Sequence, residues 1–183
     1  MQNNSGFWHH LSAAPHRSLF LAGALQGVFT LAWWLYDLVG RYAVAGSFTV
    51  WSTPPTWAHA FLMIYGFFPF FIFGFLFTTY PNWMNGAKIS PRVYMTTVLL
   101  MTIGIALFYT GLIYSQSMVM FGVLAILAGF GVAFNALLRV LLAAKGQDRR
   151  HAIVTSIALS MGCLGVAAYL LWLITNMHFL LSL

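Results

Sequence analysis

A chain of 183 residues that is 61% hydrophobic and 5% charged has too few charges to clothe a water-facing surface, for which soluble domains carry about 25%. With a mean hydropathy of +0.86, it reads as one integral membrane domain with room for about five spans of ~20 apolar residues. The net charge of +6 comes from scattered basic residues, which look like topology signals at helix ends and exclude a nucleic-acid footprint.

Residues 1–17 read as a polar and aromatic tail, and 18–183 as a single transmembrane helical domain. The first span is expected over 18–40, just after Pro15, where a helix start tolerates proline. Its apolar run exceeds the ~7–15 residues of a signal-peptide core, so it is expected to stay uncleaved. Gly23 and Gly27 form a GxxxG pair in it. Asp37 and Arg41, one turn apart near its end, read as a helix-end ion pair at the interface. The loop from Arg41 to Pro55 is the longest, and Pro54-Pro55 stiffens it. It has room for a strand-like or hairpin segment.

The second span is expected over 56–80, bent near Pro69 and ended by Pro81. The third, 92–114, is opened by Pro91. The fourth, 119–144, ends at Lys145-Gly146 and carries Gly122, Gly129 and Gly131. The fifth, 151–176, carries Ser156, Ser160, Gly162 and Gly165. Small residues let helix backbones approach closely. The runs are continuous rather than alternating, which selects an all-α bundle over barrel strands. The lone Cys163 excludes an internal disulfide and reads as a small packing residue.

Charge sets the expected orientation. Arg17, Lys88, Arg92, Arg139, Lys145, Arg149 and Arg150 fall on the side of the N-terminus, and only Arg41 on the other. Basic loops stay cytoplasmic, so the N-terminus is expected in the cytoplasm and the C-terminus in the periplasm. Trp33, Trp34, Tyr36, Tyr42, Trp51, Trp57 and Trp172 gather toward the outer face and read as an interfacial aromatic belt, with an aromatic-lined cofactor edge as the alternative.

The residues able to carry chemistry are few. Two acidic residues in the whole chain exclude paired-carboxylate catalysis, and no hydrolase, kinase or phosphate-loop pattern is present. No catalytic residue is assigned, and enzyme activity by this chain alone is not expected. Gln26 and Asn135 read as hydrogen-bonding groups between helices. Among the six histidines, His9, His10, His16 and His151 belong to the basic side. His59 and His178 form the only outer-side pair, which makes them the candidate ligands of a metal or cofactor. Met63, one turn beyond His59, joins them as a candidate on the face that continues with Gly66 and Phe70.

The stretch HAFLMIYGFFPFFIFGFLFTTYPNWMNG resembles the second-helix signature of the NnrS family. His59, Met63, Gly66, Phe67, Gly74, Phe75, Leu76, Thr78, Pro81, Asn82, Trp83 and Gly86 stand at matching places. HRSLFLAGALQG is similar to the family's first-helix start, with Arg17 at the match, and QDRRHAIV to the basic loop before helix five. Phe61 stands where the family pattern has a second histidine, and Leu62 where it has a glutamate. The resemblance is to the N-terminal half of a family whose full members have about twelve helices. It implies a bacterial inner-membrane protein of nitric oxide stress and denitrification that binds haem or copper, here haem b or copper through His59. The alternative is a non-catalytic accessory subunit of a larger respiratory or nitric-oxide-reducing complex. The bilayer is the expected surrounding in either case.

Overall fold

The computed structural model describes residues 13–42, 49–145 and 148–181 together with Gly6 and Leu11; beyond Thr175 only the backbone is described. Five helices are long and apolar enough to cross a membrane. They are α1 (Pro15–Tyr42), α2 (Pro55–Trp83), α3 (Pro91–Tyr114), α4 (Gln116–Ala143) and α5 (Arg150–Leu181). No strand occurs among the described residues. The all-α expectation therefore holds. In the long loop, 49–54 are irregular, while 43–48 lie outside the described residues.

Helices consecutive in the chain run antiparallel, and side-chain contacts fix which ends meet. His16 at the start of α1 lies beside Thr78 near the end of α2, with Nδ1 to Oγ1 at 3.4 Å. The Tyr80 hydroxyl donates to the Ala152 carbonyl at the start of α5 (2.9 Å). At the opposite end, Ser52 binds the last turn of α3, through its N–H to Leu112 O (2.9 Å) and its hydroxyl to Gly111 O (2.8 Å). Trp57 lies against Trp172, ring centroids 5.7 Å apart. The connections thus place Arg17, Lys88, Arg92, Arg139, Lys145, Arg149 and Arg150 at one end of the bundle, the basic end. Arg41 lies at the other, the aromatic end.

The tightest pairing is α3 with α4, a hairpin turned by Ser115 alone. Ser115 ends α3 and caps α4, accepting the Met118 N–H on its hydroxyl at 3.3 Å. Glycines spaced by seven carry this contact. A Cβ on Gly104 would stand 2.7 Å from Gly122 O, and one on Gly122 2.6 Å from Gly104 O. Gly111 faces Val119, and Gly129 faces Met101, in the same way. Gly131, by contrast, faces open space. Dispersion between backbones, rather than exclusion from lipid, is what such a seam gains in a bilayer. The GxxxG pair of α1 serves α2: Gly23 receives Phe70 and Phe71, and Gly27 receives Phe67.

Helix α2 is interrupted. Its α-helical first part, Pro55–Phe61, passes into a π-helical turn over Leu62–Phe67 before α-helix resumes at Phe68. Pro69 lies immediately after this turn. It has no N–H to give and its ring would crowd the carbonyl four residues back, so the chain widens there and Phe68 N–H reaches Met63 O instead. At the other end α2 continues through Pro81 to Trp83 and stops at a Schellman cap. Gly86 N–H bonds Pro81 O (2.8 Å) and Asn85 N–H bonds Asn82 O (3.3 Å), with Asn85 at φ 45°.

Candidate functional site

At the aromatic end, the end of α1, the loop before α2 and the first turn of α2 come together around one carboxylate. Asp37 is buried, pairs with the Arg41 guanidinium and accepts from Trp51 Nε1 at 2.7 Å. The helix-end pair read from the sequence is therefore the base of a larger cluster. Arg41 lies 5.3 Å from the centroid of the Trp34 ring, a cation–π contact. On Trp34 the His59 imidazole stacks nearly flat, centroids 4.2 Å apart at 14°. Trp33 meets Trp34, Trp51 and Tyr109 at 5.5–6.4 Å. The tryptophans expected to be an interfacial belt thus partly serve as a packed cage.

A cavity of about 270 Å³ lies beside this cluster, lined by Tyr36, Asp37, Arg41, Thr49 and Trp51. Below it runs a short buried polar chain. Gln26 Nε2 donates to Thr30 Oγ1 (2.9 Å), and Thr30 shares a 2.8 Å hydrogen bond with the Tyr109 hydroxyl of α3. Gln26 accordingly reaches across helices through Thr30. Among the described residues Asn135 makes no bond between helices; it is exposed and lines a cavity at the basic end.

The cage leaves several polar atoms buried without a partner: Trp33 Nε1, Arg41 Nε, Thr53 Oγ1 and His59 Nδ1, with Tyr169 Oη on the α5 side. All lie toward the aromatic end. Buried polar groups are otherwise nearly always bonded, so these atoms leave hydrogen-bonding capacity at this end that the described side chains do not use.

The three candidate ligands fare differently. His59 has a free ring nitrogen and a fixed plane. Met63 is half-buried one turn later, within the π-helical turn. The side chain of His178 lies outside the described residues. Among the described residues no three His, Cys, Asp or Glu side chains gather as a metal site. Phe61 is buried between Phe108 (5.1 Å, 5°) and Tyr169 (4.3 Å, 27°) in a continuous aromatic stack. Of the three candidates, the described side chains are the His59 imidazole and the Met63 thioether.

The fold and the site define a five-helix multi-pass membrane protein with a polar cluster at one end. The pattern of the NnrS protein family matches residues 10–182, nearly the whole chain. The chain belongs to the NnrS family, which links it to the nitric oxide response. No match was found among curated proteins or among solved structures.

Sequence reasoning missed Trp34 and Trp51 as partners of His59 and Asp37. They lie 25 and 14 positions from those partners, and only the packing of α1 against the start of α2 joins them. The π-helical turn was signalled only by the bend expected near Pro69.

Proposed function

We propose that this chain is a protein of the bacterial inner membrane acting in the nitric oxide and denitrification response, and that it holds a haem b through His59. The supporting observation is the His59 imidazole: its plane is set by Trp34 and its Nδ1 is buried without a partner. A ring nitrogen in that state suits an axial ligand or the hydrogen bond that orients one. Haem suits the donor set better than copper because one imidazole suffices for it. Met63 and His178 are the candidate second ligands.

Bound haem would supply an iron able to take nitric oxide at an open position. The chain's own residues do the positioning. Trp34 fixes the tilt of the imidazole, and Arg41 holds Trp34 from the ion pair with Asp37. Trp51 closes the cluster toward the loop by donating to the same carboxylate. A lateral groove of about 740 Å³ between α1 and α3, lined almost wholly by apolar side chains, ends at Tyr109 beside Trp33. It suits entry of a small uncharged molecule from the bilayer.

The test is the absorption spectrum of the purified protein, oxidised and then reduced. A Soret band that disappears in His59→Ala and persists in His151→Ala is expected. A haem spectrum unchanged in His59→Ala overturns the assignment. The second reading, an accessory subunit of a respiratory or nitric-oxide-reducing complex, is favoured by Phe61, whose aromatic stack closes the family's second histidine position. A colourless protein that co-purifies stoichiometrically with a reductase or oxidase would support it.

A further inference from the structure

The basic end holds a second constellation, separate from the histidine cluster. The Schellman cap of α2 turns the chain so that Gly86–Ser90 lies along α4, with a Cβ on Gly86 only 3.1 Å from Val140 Cγ1. Between this loop and α4 is a cavity of about 340 Å³. Lys88, Ser90, Asn135 and Arg139 contribute polar groups to its lining, and Val132 and Val140 contribute apolar ones. Asn135 and Arg139 are one helical turn apart on α4.

Depth matters here. Helix α4 has 28 residues, about 42 Å at 1.5 Å per residue, against a hydrocarbon core of ~30 Å. Arg139 is one turn from the end of α4, which sets it near the hydrocarbon boundary, from where its guanidinium reaches the level of lipid phosphates. No protein acid neutralises it. The chain has two acidic residues: Asp37 is paired at the opposite end, and Asp148 makes no ion pair with Arg139 or Lys88 among the described residues. The Ser90 hydroxyl makes no capping bond to α3.

We propose that this concavity binds the phosphate headgroup of an anionic phospholipid. Lys88 and Arg139 supply the counter-charge, Asn135 and Ser90 hydrogen-bond the phosphate and glycerol oxygens, and one acyl chain lies over Val132 and Val140. Basic pockets between helices at the cytoplasmic boundary recognise such headgroups. The site follows from the charge count: two cations share one concavity at phosphate depth, and the fold provides no anion for either.

Native mass spectrometry of the detergent-solubilised protein, titrated with phosphatidylglycerol, phosphatidylcholine or inorganic phosphate, tests this. Phosphatidylglycerol should be retained about tenfold or more over phosphatidylcholine, from two cations acting near the surface. Lys88→Gln/Arg139→Gln should bring that preference close to unity. Arg149→Gln/Arg150→Gln, an equal loss of charge at the same end but outside the concavity, should keep it. Ala136→Phe, which fills the cavity and leaves every charge in place, should also abolish retention. The proposal is overturned if the Lys88/Arg139 variant keeps the preference, if the Arg149/Arg150 control loses it equally, or if Ala136→Phe binds normally. Displacement of the lipid by millimolar inorganic phosphate would assign the site to free phosphate and overturn it as a lipid site.

Discussion

Asp37→Ala probes the cluster that holds His59 in place. Asp37 is 6% exposed and takes two donors, the Arg41 guanidinium and Trp51 Nε1. A hydrogen bond to a charged group contributes about 1.5–3 kcal/mol. The ion pair, with the Arg41 side chain 28% exposed, adds no more than about 1 kcal/mol. The loss is then about 3 kcal/mol, or roughly 6–12 °C in Tm for a chain of this size. Asp37→Asn keeps an oxygen for Trp51 and should lose less than half of that. Thermal unfolding in detergent, followed by circular dichroism, gives the readout. Asp37→Ala/Arg41→Met should fall by less than the sum of its single variants, because the cation stranded by the first change is removed by the second. Additive losses, or a Tm for Asp37→Ala within about one degree of the parent, would refute the account of Asp37 as the anchor.

Two further predictions concern topology and local backbone. A reporter enzyme fused to the C-terminus should be active in the periplasm, because seven of the eight basic residues lie at the other end of the bundle; cytoplasmic activity would invert the orientation. Asn85→Val should cost about 1–2 kcal/mol, since a β-branched residue resists the left-handed conformation that Asn85 adopts at φ 45°. Asn85→Gly should match or exceed the parent in the same melting assay, and equal losses for both variants would show that the side chain, not the backbone angle, matters there.

The five spans were legible because a bilayer demands long uninterrupted apolar segments, and this chain has five of them. Pro15, Pro55 and Pro91 stand at helix starts and Lys145 follows the end of α4, whereas Pro81, expected to end the second span, lies inside α2, which runs on to Trp83. What the sequence concealed depends on pairing between distant positions. Gly104 and Gly111 carry as much of the α3–α4 seam as Gly122 and Gly129, yet their spacing of seven escapes a search for GxxxG. Gly131 was grouped with the packing glycines and faces open space instead, because helix α4 turns it away from α3. Tryptophans near a helix end look alike whether they meet headgroups or one another. Trp34 and Trp51 were legible as aromatic and not as partners of His59 and Asp37. For the histidine itself, sequence narrowed six candidates to two, and stacking and burial then described one of them.

The family signature in α2 divides into parts with different physical roles. Pro81, Asn82 and Gly86 lie in the Schellman cap: Pro81 and Asn82 offer the carbonyls, and Gly86 with Asn85 returns the N–H groups. These positions end the helix and seat the Lys88 loop against α4. Gly74 admits Phe20 and Leu19 of α1, again a packing role. His59 is the matched position that combines a ligand atom with an unmet hydrogen-bonding need. Phe61 and Leu62, which follow close behind it, are both buried. Phe61 is held by aromatic rings from α3 and α5, so a histidine there would face Phe108 and Tyr169 rather than solvent. The signature thus combines packing and capping positions with two that carry a ligand atom, His59 and Met63. His59→Ala is therefore the variant on which the proposed haem site stands or falls.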